Sequence, residues 1–174
     1  IKIDDTVKGI WCVPKYSNPD GYTYSDETVR RFANLKPAAD DFRIFWDNAY
    51  AVHDIEEDGD KLLNLFQLVQ GTENEDKLFY FFSTSKISFP GSGVALMAVS
   101  ANNREQIKSV MQVQTIGSDK INQLRHVRYF TNAEGIMDHM RLHARHIKPK
   151  FEIVLNALEE ELGKTGIASW FSPK

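Results

Sequence analysis

The sequence predicts an α/β fold in which a mostly parallel sheet with flanking helices is followed by a run of further helices. Two observations support this prediction. Short, nearly continuous apolar runs alternate with helical patterns in the first half, and helical periodicity dominates the second half. Apolar runs without polar alternation are typical of parallel strands that are covered on both faces. The four runs lie at Gly9–Pro14, Phe42–Trp46, Leu78–Phe82 and Val94–Val99.

Local signals bound the first elements. Pro14 closes the first apolar run, and an Asn-Pro-Asp-Gly turn marks Lys15–Tyr24 as a loop. Ser25 can cap a helix whose first turn is acidic, and Pro37 marks its end. The segment Phe66–Val69 fits either an extended or a helical conformation, and its pattern leaves that choice open.

Three helices are predicted after the last strand. Pro149 lies inside the longest and predicts a kink, and Gly163 suits its C-terminal cap. A new strand is expected to start within Ser169–Lys174. Because the chain also opens at Ile1 without a methionine, we expect an excerpt of a longer protein. The helices are expected at Asn102–Ile116, Asp119–Thr131 and Ala133–Leu162.

Composition narrows the class of protein. The chain has 174 residues, of which 42% are hydrophobic and 26% charged, and this is ordinary globular composition. A net charge of −3 without a polybasic run gives no sign of binding to nucleic acid or to an anionic membrane. No apolar run approaches the roughly 20 residues of a membrane-spanning helix. Since Cys12 is the single cysteine, no internal disulfide can form, which favours a cytoplasmic setting.

Polar residues follow three of the predicted strands. In open α/β sheets, ligands bind at the carboxyl ends of the strands. The sequence therefore predicts one pocket lined by asparagine, aspartate, tyrosine, serine and lysine side chains. The contributing residues are Asn18 after the first strand, Asp47, Asn48 and Tyr50 after the second, and Ser83, Thr84, Ser85 and Lys86 after the third.

These strand ends carry three motifs, Tyr16-Ser17-Asn18-Pro19-Asp20-Gly21, Asp47-Asn48-Ala49-Tyr50 and Ser83-Thr84-Ser85-Lys86. Asn18 and Asp47 are 29 residues apart, and Asp47 and Lys86 are 39 apart. In order and separation the motifs resemble those of class I (fold type I) aminotransferases, which use pyridoxal 5'-phosphate (PLP). With Phe89-Pro90-Gly91-Ser92-Gly93-Val94, the sequence around Lys86 is most similar to the MocR-type aminotransferases.

The resemblance implies a role for five side chains. Lys86 would form a Schiff base with PLP and move the substrate's α-proton, and a desolvated pocket should lower its pKa so that the amine is partly neutral. Asp47 would pair with the pyridine nitrogen and keep it protonated. Tyr50 and Asn18 would contact the phenolic oxygen, with a cis peptide bond after Asn18. Ser83 would bind the phosphate.

The phosphate site departs from the usual pattern of this family. Most class I enzymes carry an arginine eight residues after the lysine, whereas this chain has Val94 there and no Arg or Lys between Lys86 and Arg104. The MocR-type group resembles this chain in lacking that arginine. Ser85 and Ser88 are lesser candidates for phosphate binding. No residue is assigned as the main positive charge that would balance the phosphate.

We therefore expect a parent enzyme that transfers an amino group between an amino acid and a 2-oxo acid, as a homodimer. Residues 1–101 would form the second half of its PLP-binding large domain. Residues 102–174 would form inter-domain helices and the start of a C-terminal small domain. The fragment alone is expected to have little activity and weak PLP affinity. Two alternatives stay open: a PLP-dependent lyase, and the ligand-sensing aminotransferase-like domain of a MocR-type transcription regulator.

A metal site is not expected. His139 and His143 stand four residues apart on a predicted helix, a spacing that can bind zinc. The neighbouring Arg141, Arg145 and Lys148 would repel a cation. A basic helix flank is the simpler interpretation.

Overall fold

Four strands form one sheet in the order β1-β2-β3-β4. Strands β1 (Gly9–Cys12), β2 (Arg43–Asp47) and β3 (Leu78–Ser83) run parallel, and β4 (Ala95–Ala98) pairs antiparallel with β3. Each strand follows one of the predicted apolar runs within a residue or two. The predicted α/β fold with a mostly parallel sheet is confirmed.

The structure is a computed structural model that describes residues 4–165, without the side chain of Lys164. The strand expected within Ser169–Lys174 lies outside the described residues.

Helices lie between β1 and β2 and between β2 and β3, a helix-free segment joins β3 to β4, and three longer helices follow β4 in the described part of the chain. Ser25 caps the first helix by accepting a hydrogen bond from the Thr28 amide, and Asn64 caps the second by accepting one from the Gln67 amide. Short 3₁₀ turns occur at Glu75–Lys77 and Gly163–Thr165. The α-helices are α1 (Asp26–Ala33), α2 (Leu65–Val69), α3 (Ala101–Gln114), α4 (Lys120–Phe130) and α5 (Ala133–Leu162).

The structure decides the conformation of one segment that the sequence left open and shows an earlier end for helix α1 than the sequence predicted. The undecided segment before residue 70 is helical. Helix α1 ends at Ala33, four residues before Pro37, because its last carbonyls bond to Asn34 and Asn74 instead of to a further turn. The predicted bounds of α5 are confirmed, and the helix continues through Pro149.

The core lies between α1, α2 and one face of the sheet. Because side chains alternate along a strand, Cys12, Ile44 and Trp46 all point towards the helices. They pack with Phe42 and Leu78 and with apolar residues of both helices, among them Val29, Ala33, Leu65 and Val69. Burial of this apolar surface is the main force that holds the helices on the sheet.

The opposite face is only partly covered in the described part of the chain, which corrects the expectation of a sheet covered on both sides. Its aromatic rings stack across the strands: Trp11 lies 5.4 Å from Phe45 and 5.8 Å from Phe81, centroid to centroid. Trp11 is 61% exposed, so the first apolar run is not the fully buried strand that the sequence predicted. No described helix packs there as α1 and α2 do on the other face.

Contacts divide the chain into two units, one formed by Ile1–Ala51 and Lys61–Arg128, the other by Val52–Asp60 and Tyr129–Lys174. In the second unit Lys148 on α5 pairs with Glu56 at 2.7 Å. The predicted division at residue 101 concerns the domains of a longer protein and stays a prediction.

None of the helices within residues 4–165 has the length and apolar character needed to span a membrane.

Asn74 should contribute strongly to stability. Its amide donates to the carbonyls of Ala33 (2.8 Å) and Leu35 (3.0 Å), and it is 3% exposed. Asn74→Ala leaves two carbonyls without this donor, and we expect the free energy of unfolding to fall by about 1–3 kcal/mol. Urea unfolding followed by tryptophan fluorescence measures the change.

Asn34→Ala is the matched control, because the Asn34 amide also bonds a carbonyl of α1, that of Arg30 at 2.8 Å, but in an exposed position. Water can replace that bond, so the loss should stay within about 0.5 kcal/mol. Equal losses in the two variants would show that Asn74 does not anchor the end of α1.

Candidate functional site

The parallel pairing brings the polar strand ends together at one edge of the sheet. Asp47, the last residue of β2, pairs with Phe81, and the following Asn48 amide donates to the Phe81 carbonyl at 3.0 Å. Ser83 ends β3 two residues further along. The candidate residues after these two strands therefore start side by side.

Lys86 and Tyr50, candidates that follow two different strands, lie close together. The Nζ atom of Lys86 lies 5.3 Å from the centroid of the Tyr50 ring, within the range of a cation–π contact. Tyr50 is half-buried in the turn after β2, which is closed by a bond from the Ala51 amide to the Asn48 carbonyl (3.3 Å). The amine at the end of β3 thus faces the ring carried by the end of β2.

Lys86 is exposed, which differs from the desolvated surroundings that the sequence analysis expected. It stands in the middle of a turn beyond the last residue of β3, with its Nζ near the Tyr50 ring. The next residue in this turn, Ile87, is fully buried.

Asn18 lies on the loop that follows β1. The Asn18–Pro19 peptide bond is cis, as the resemblance implies. Backbone bonds from Ser17 to the Tyr22 carbonyl (3.0 Å) and from Tyr24 to the Pro14 carbonyl (2.8 Å) close the loop. Asn18 itself is exposed, and within residues 4–165 its side chain makes no hydrogen bond to the other candidate residues.

A buried lysine joins the loops after β1 and β2, and the sequence analysis missed it. Lys15 is 5% exposed, and its Nζ donates to the Ala51 carbonyl at 3.2 Å. The same Nζ lies 4.9 Å from the centroid of the Tyr16 ring. Lys15 thereby ties the Asn18 loop to the turn that carries Tyr50. No local sequence pattern predicts this contact, because the bonded residues are 36 positions apart.

Asn48 anchors the residue next to Asp47. Its amide donates to the Tyr80 hydroxyl at 2.7 Å, and Asn48 is 8% exposed. Burial raises the pKa of Tyr80, and the bond from Asn48 partly offsets that rise, so the phenol stays protonated at neutral pH. This buried bond holds the end of β2, and with it Asp47, which is half-buried.

The three candidate serines have different surroundings. Ser83 is half-buried at the end of β3, and Ser85 is exposed and packs on Gly93. Ser88 turns towards helix α4, where its Oγ lies 2.7 Å from Nε2 of His126. Phosphate binding by Ser83 and Ser85 stays a prediction, whereas the Ser88 hydroxyl has a protein partner.

The donor set fits the cofactor that the resemblance implies. An amine lies beside a phenol, a half-buried carboxylate ends the neighbouring strand, and a hydroxyl ends the strand that leads to the amine. An aldehyde, a pyridine nitrogen and a phosphate need these kinds of group. The backbone amide of Val94 is bonded to Thr84 Oγ1 at 2.8 Å, so the residue in the usual arginine position supports the loop.

The histidines of α5 lie in the second unit. The rings of His139 and His143 are 4.4 Å apart, centroid to centroid. Burial, followed by the nearby His139 and His146, lowers the pKa of His143. Within the described residues, no three histidine, cysteine or acidic side chains are arranged to hold a metal ion.

Comparisons with known proteins point to one family. A family model described as aspartate amino-transferase matches residues 1–174. A Mycolicibacterium smegmatis protein, provisionally named an aminotransferase, is 45% identical over 171 residues, which are 98% of this chain and 40% of that protein. The aspartate aminotransferase of Corynebacterium glutamicum is 41% identical over 167 residues, 96% of this chain and 39% of that protein. The chain thus spans about two fifths of these relatives.

Solved structures agree with this match. An aspartate transaminase from Corynebacterium glutamicum superimposes with a TM-score of 0.90 at 40% identity, covering 94% of this chain and 38% of that one. A kynurenine aminotransferase from Pyrococcus horikoshii, solved in complex with PMP, has a TM-score of 0.70 at 23% identity and covers 88% and 36%. The second likeness speaks for the fold alone.

Gly93 should be needed for the loop that carries Lys86. A Cβ at this position would lie 2.6 Å from Ser85 Oγ and 3.0 Å from the Ser85 Cα and backbone nitrogen, so the loop would have to move. We expect Gly93→Ala to lower the free energy of unfolding by about 1–3 kcal/mol. Urea unfolding measures this loss.

Gly117→Ala is the control for that experiment, since the nearest neighbouring atom lies 4.0 Å from the added Cβ. Equal stability of the two variants would mean that the Ser85 backbone does not pack on Gly93.

Proposed function

This chain belongs to the aspartate aminotransferase family, whose model matches it from end to end, and we propose that its parent protein is a PLP-dependent aminotransferase. The parent transfers an amino group between an amino acid and a 2-oxo acid. The observation that carries the proposal is the position of Lys86 Nζ, 5.3 Å from the Tyr50 ring at the edge where β2 and β3 end. The names of the relatives make aspartate the first amino acid to test.

Lys86 has two tasks in this proposal. Its Nζ would hold the cofactor by condensing with the aldehyde, with loss of water, and would take and return the proton at the substrate's Cα. Both tasks would need an amine on a side chain long enough to reach the cofactor, and Lys86 extends from a turn beyond the end of β3.

The remaining candidates bind and orient the cofactor. PLP, when bound, supplies an electron-withdrawing ring that stabilises the charge left at Cα after the proton departs. The Asp47 carboxylate holds a proton on the pyridine nitrogen and so strengthens that withdrawal. Tyr50 and Asn18 donate hydrogen bonds to the phenolic oxygen. Ser83, with Ser85 as a second donor, binds the phosphate.

Several finer expectations accompany this proposal. The similarity around Lys86 to the MocR-type group stays a prediction, and so does the residue that supplies the phosphate's main counter-charge. A homodimeric parent, a cytoplasmic location, and weak PLP binding by the isolated chain are likewise carried forward as expectations. All of them concern the whole protein, of which this chain corresponds to about two fifths in the curated relatives.

Replacement of Lys86 tests the proposal. In the full-length parent, Lys86→Ala should abolish the visible absorbance of lysine-bound PLP. It should also slow amino transfer from aspartate to 2-oxoglutarate by a factor of at least about 10²–10⁴, because the proton at Cα loses its base. Absorbance spectra and a coupled transfer assay measure the two effects.

Lys36→Ala is the control variant, since Lys36 is an exposed lysine paired only loosely with Glu73 at 3.6 Å. Unchanged absorbance and transfer in Lys86→Ala would contradict the proposal. Wild-type protein that releases a 2-oxo acid without an amino acceptor would indicate a lyase. Binding of PLP without turnover, in a protein that also binds DNA, would indicate a regulator.

A further inference from the structure

A histidine from helix α4 contacts the turn that carries Lys86. Thr84 and Ser88 flank the lysine, two residues before it and two after it. The Nε2 atom of His126 lies 3.0 Å from Thr84 Oγ1 and 2.7 Å from Ser88 Oγ. One ring nitrogen thus joins both sides of the turn to a residue about 40 positions further along the chain.

Thr84 is the fixed point of this turn. Its carbonyl accepts hydrogen bonds from the amides of Ile87 (2.9 Å) and Ser88 (2.8 Å), which close the turn around Lys86. Its Oγ1 accepts the Val94 amide at 2.8 Å, and its own amide donates to the Val94 carbonyl at 2.9 Å. Thr84 is 9% exposed, so water has little access to compete for these bonds.

The contact of the second ring nitrogen of His126 shows which nitrogen carries a proton. Nδ1 lies 2.8 Å from the Asn122 carbonyl, which can only accept a hydrogen bond, so Nδ1 carries a proton. In the neutral ring, the single lone pair of Nε2 then accepts from the Ser88 hydroxyl at 2.7 Å and is shared with the Thr84 hydroxyl at 3.0 Å. The ring therefore links the Asn122 carbonyl of α4 to the two hydroxyls of the Lys86 turn.

Asn122 supports the far end of the same loop. It is 7% exposed, and its amide donates to the carbonyls of Ser92 and Gly93, the latter at 3.3 Å. His126 and Asn122 stand one helical turn apart, so one face of α4 holds both ends of the segment from residue 84 to residue 93. Lys86 lies in this segment, exposed, with its turn held from α4.

We infer that His126 is a positioning residue for Lys86. It acts through Thr84 and Ser88, so it sets where the turn, and hence Nζ, stands relative to Tyr50. The inference rests on the proposed function only for the importance of Lys86. The geometry of the turn itself can be measured without cofactor.

Two substitutions separate the contacts of the ring. Gln places a polar atom near the position of Nε2, and can keep the hydroxyl contacts while losing the one to Asn122. Asn places a polar atom near Nδ1 and does the reverse. If the turn depends on the hydroxyl contacts, His126→Gln preserves it and His126→Asn does not.

The measurement is amide hydrogen exchange on the 174-residue chain without cofactor. We expect His126→Asn to speed exchange at Ile87, Ser88 and Val94 on the order of tenfold, the effect of losing roughly one hydrogen bond. His126→Gln should stay within about threefold of wild type. The Arg43 amide, which donates to the Lys8 carbonyl at 2.9 Å in β2, should not change in either variant and reports on the fold as a whole.

A second measurement, of PLP binding, tests whether the position of the turn matters for the role proposed for Lys86. In the full-length parent, His126→Asn should weaken PLP binding on the order of tenfold, with His126→Gln close to wild type. Unchanged exchange and unchanged PLP binding in His126→Asn would overturn the inference, even where Lys86→Ala upholds the proposed function. Equal acceleration at Arg43 and at the turn would also overturn it, because His126 would then stabilise only the whole fold.

Discussion

The register between β2 and β3 is the constraint on which the rest of the structure depends. Ile44 pairs with Leu78 near the start of the strands, and Asp47 pairs with Phe81 near their ends. A slip of one residue would move Ile44 and Trp46 from the core to the opposite face, so burial strongly specifies this alignment. The same alignment sets where Asp47 stands relative to the turn that follows β3. The apolar core therefore determines the geometry of the polar site.

Beyond the strand ends, the loops are held in place by hydrogen bonds of buried polar side chains and less by apolar packing. Loops have little apolar surface to bury, and their backbone groups need partners. Asn48, Lys15, Asn122 and Asn74 are each at most 8% exposed, and each donates to a carbonyl or hydroxyl of another segment. Three of them hold loops that carry candidate residues. The site is thus placed by hydrogen bonds that reach across the sequence.

The sequence predicts the elements of this fold well and its long-range contacts poorly. Apolar runs and capping residues locate the strands and the long helix α5, because those signals are local. Trp11 is 61% exposed because it alternates with Cys12 and only the Cys12 face is covered by α1 and α2, which an apolar run cannot reveal. Lys15 and His126 carry no local signal, since their partners lie 36 and up to 42 residues away. The roles of the residues in the three motifs were predicted from the resemblance to a family and not from local signals.

Reduction of the parent protein with borohydride in the presence of PLP, followed by peptide mapping, tests the central claim most directly. The treatment fixes the cofactor permanently on the lysine that holds it. A label on the peptide that contains Lys86, near one per chain, is the result that this account predicts. A label on a different lysine, or label spread over many surface lysines with little on Lys86, would contradict it.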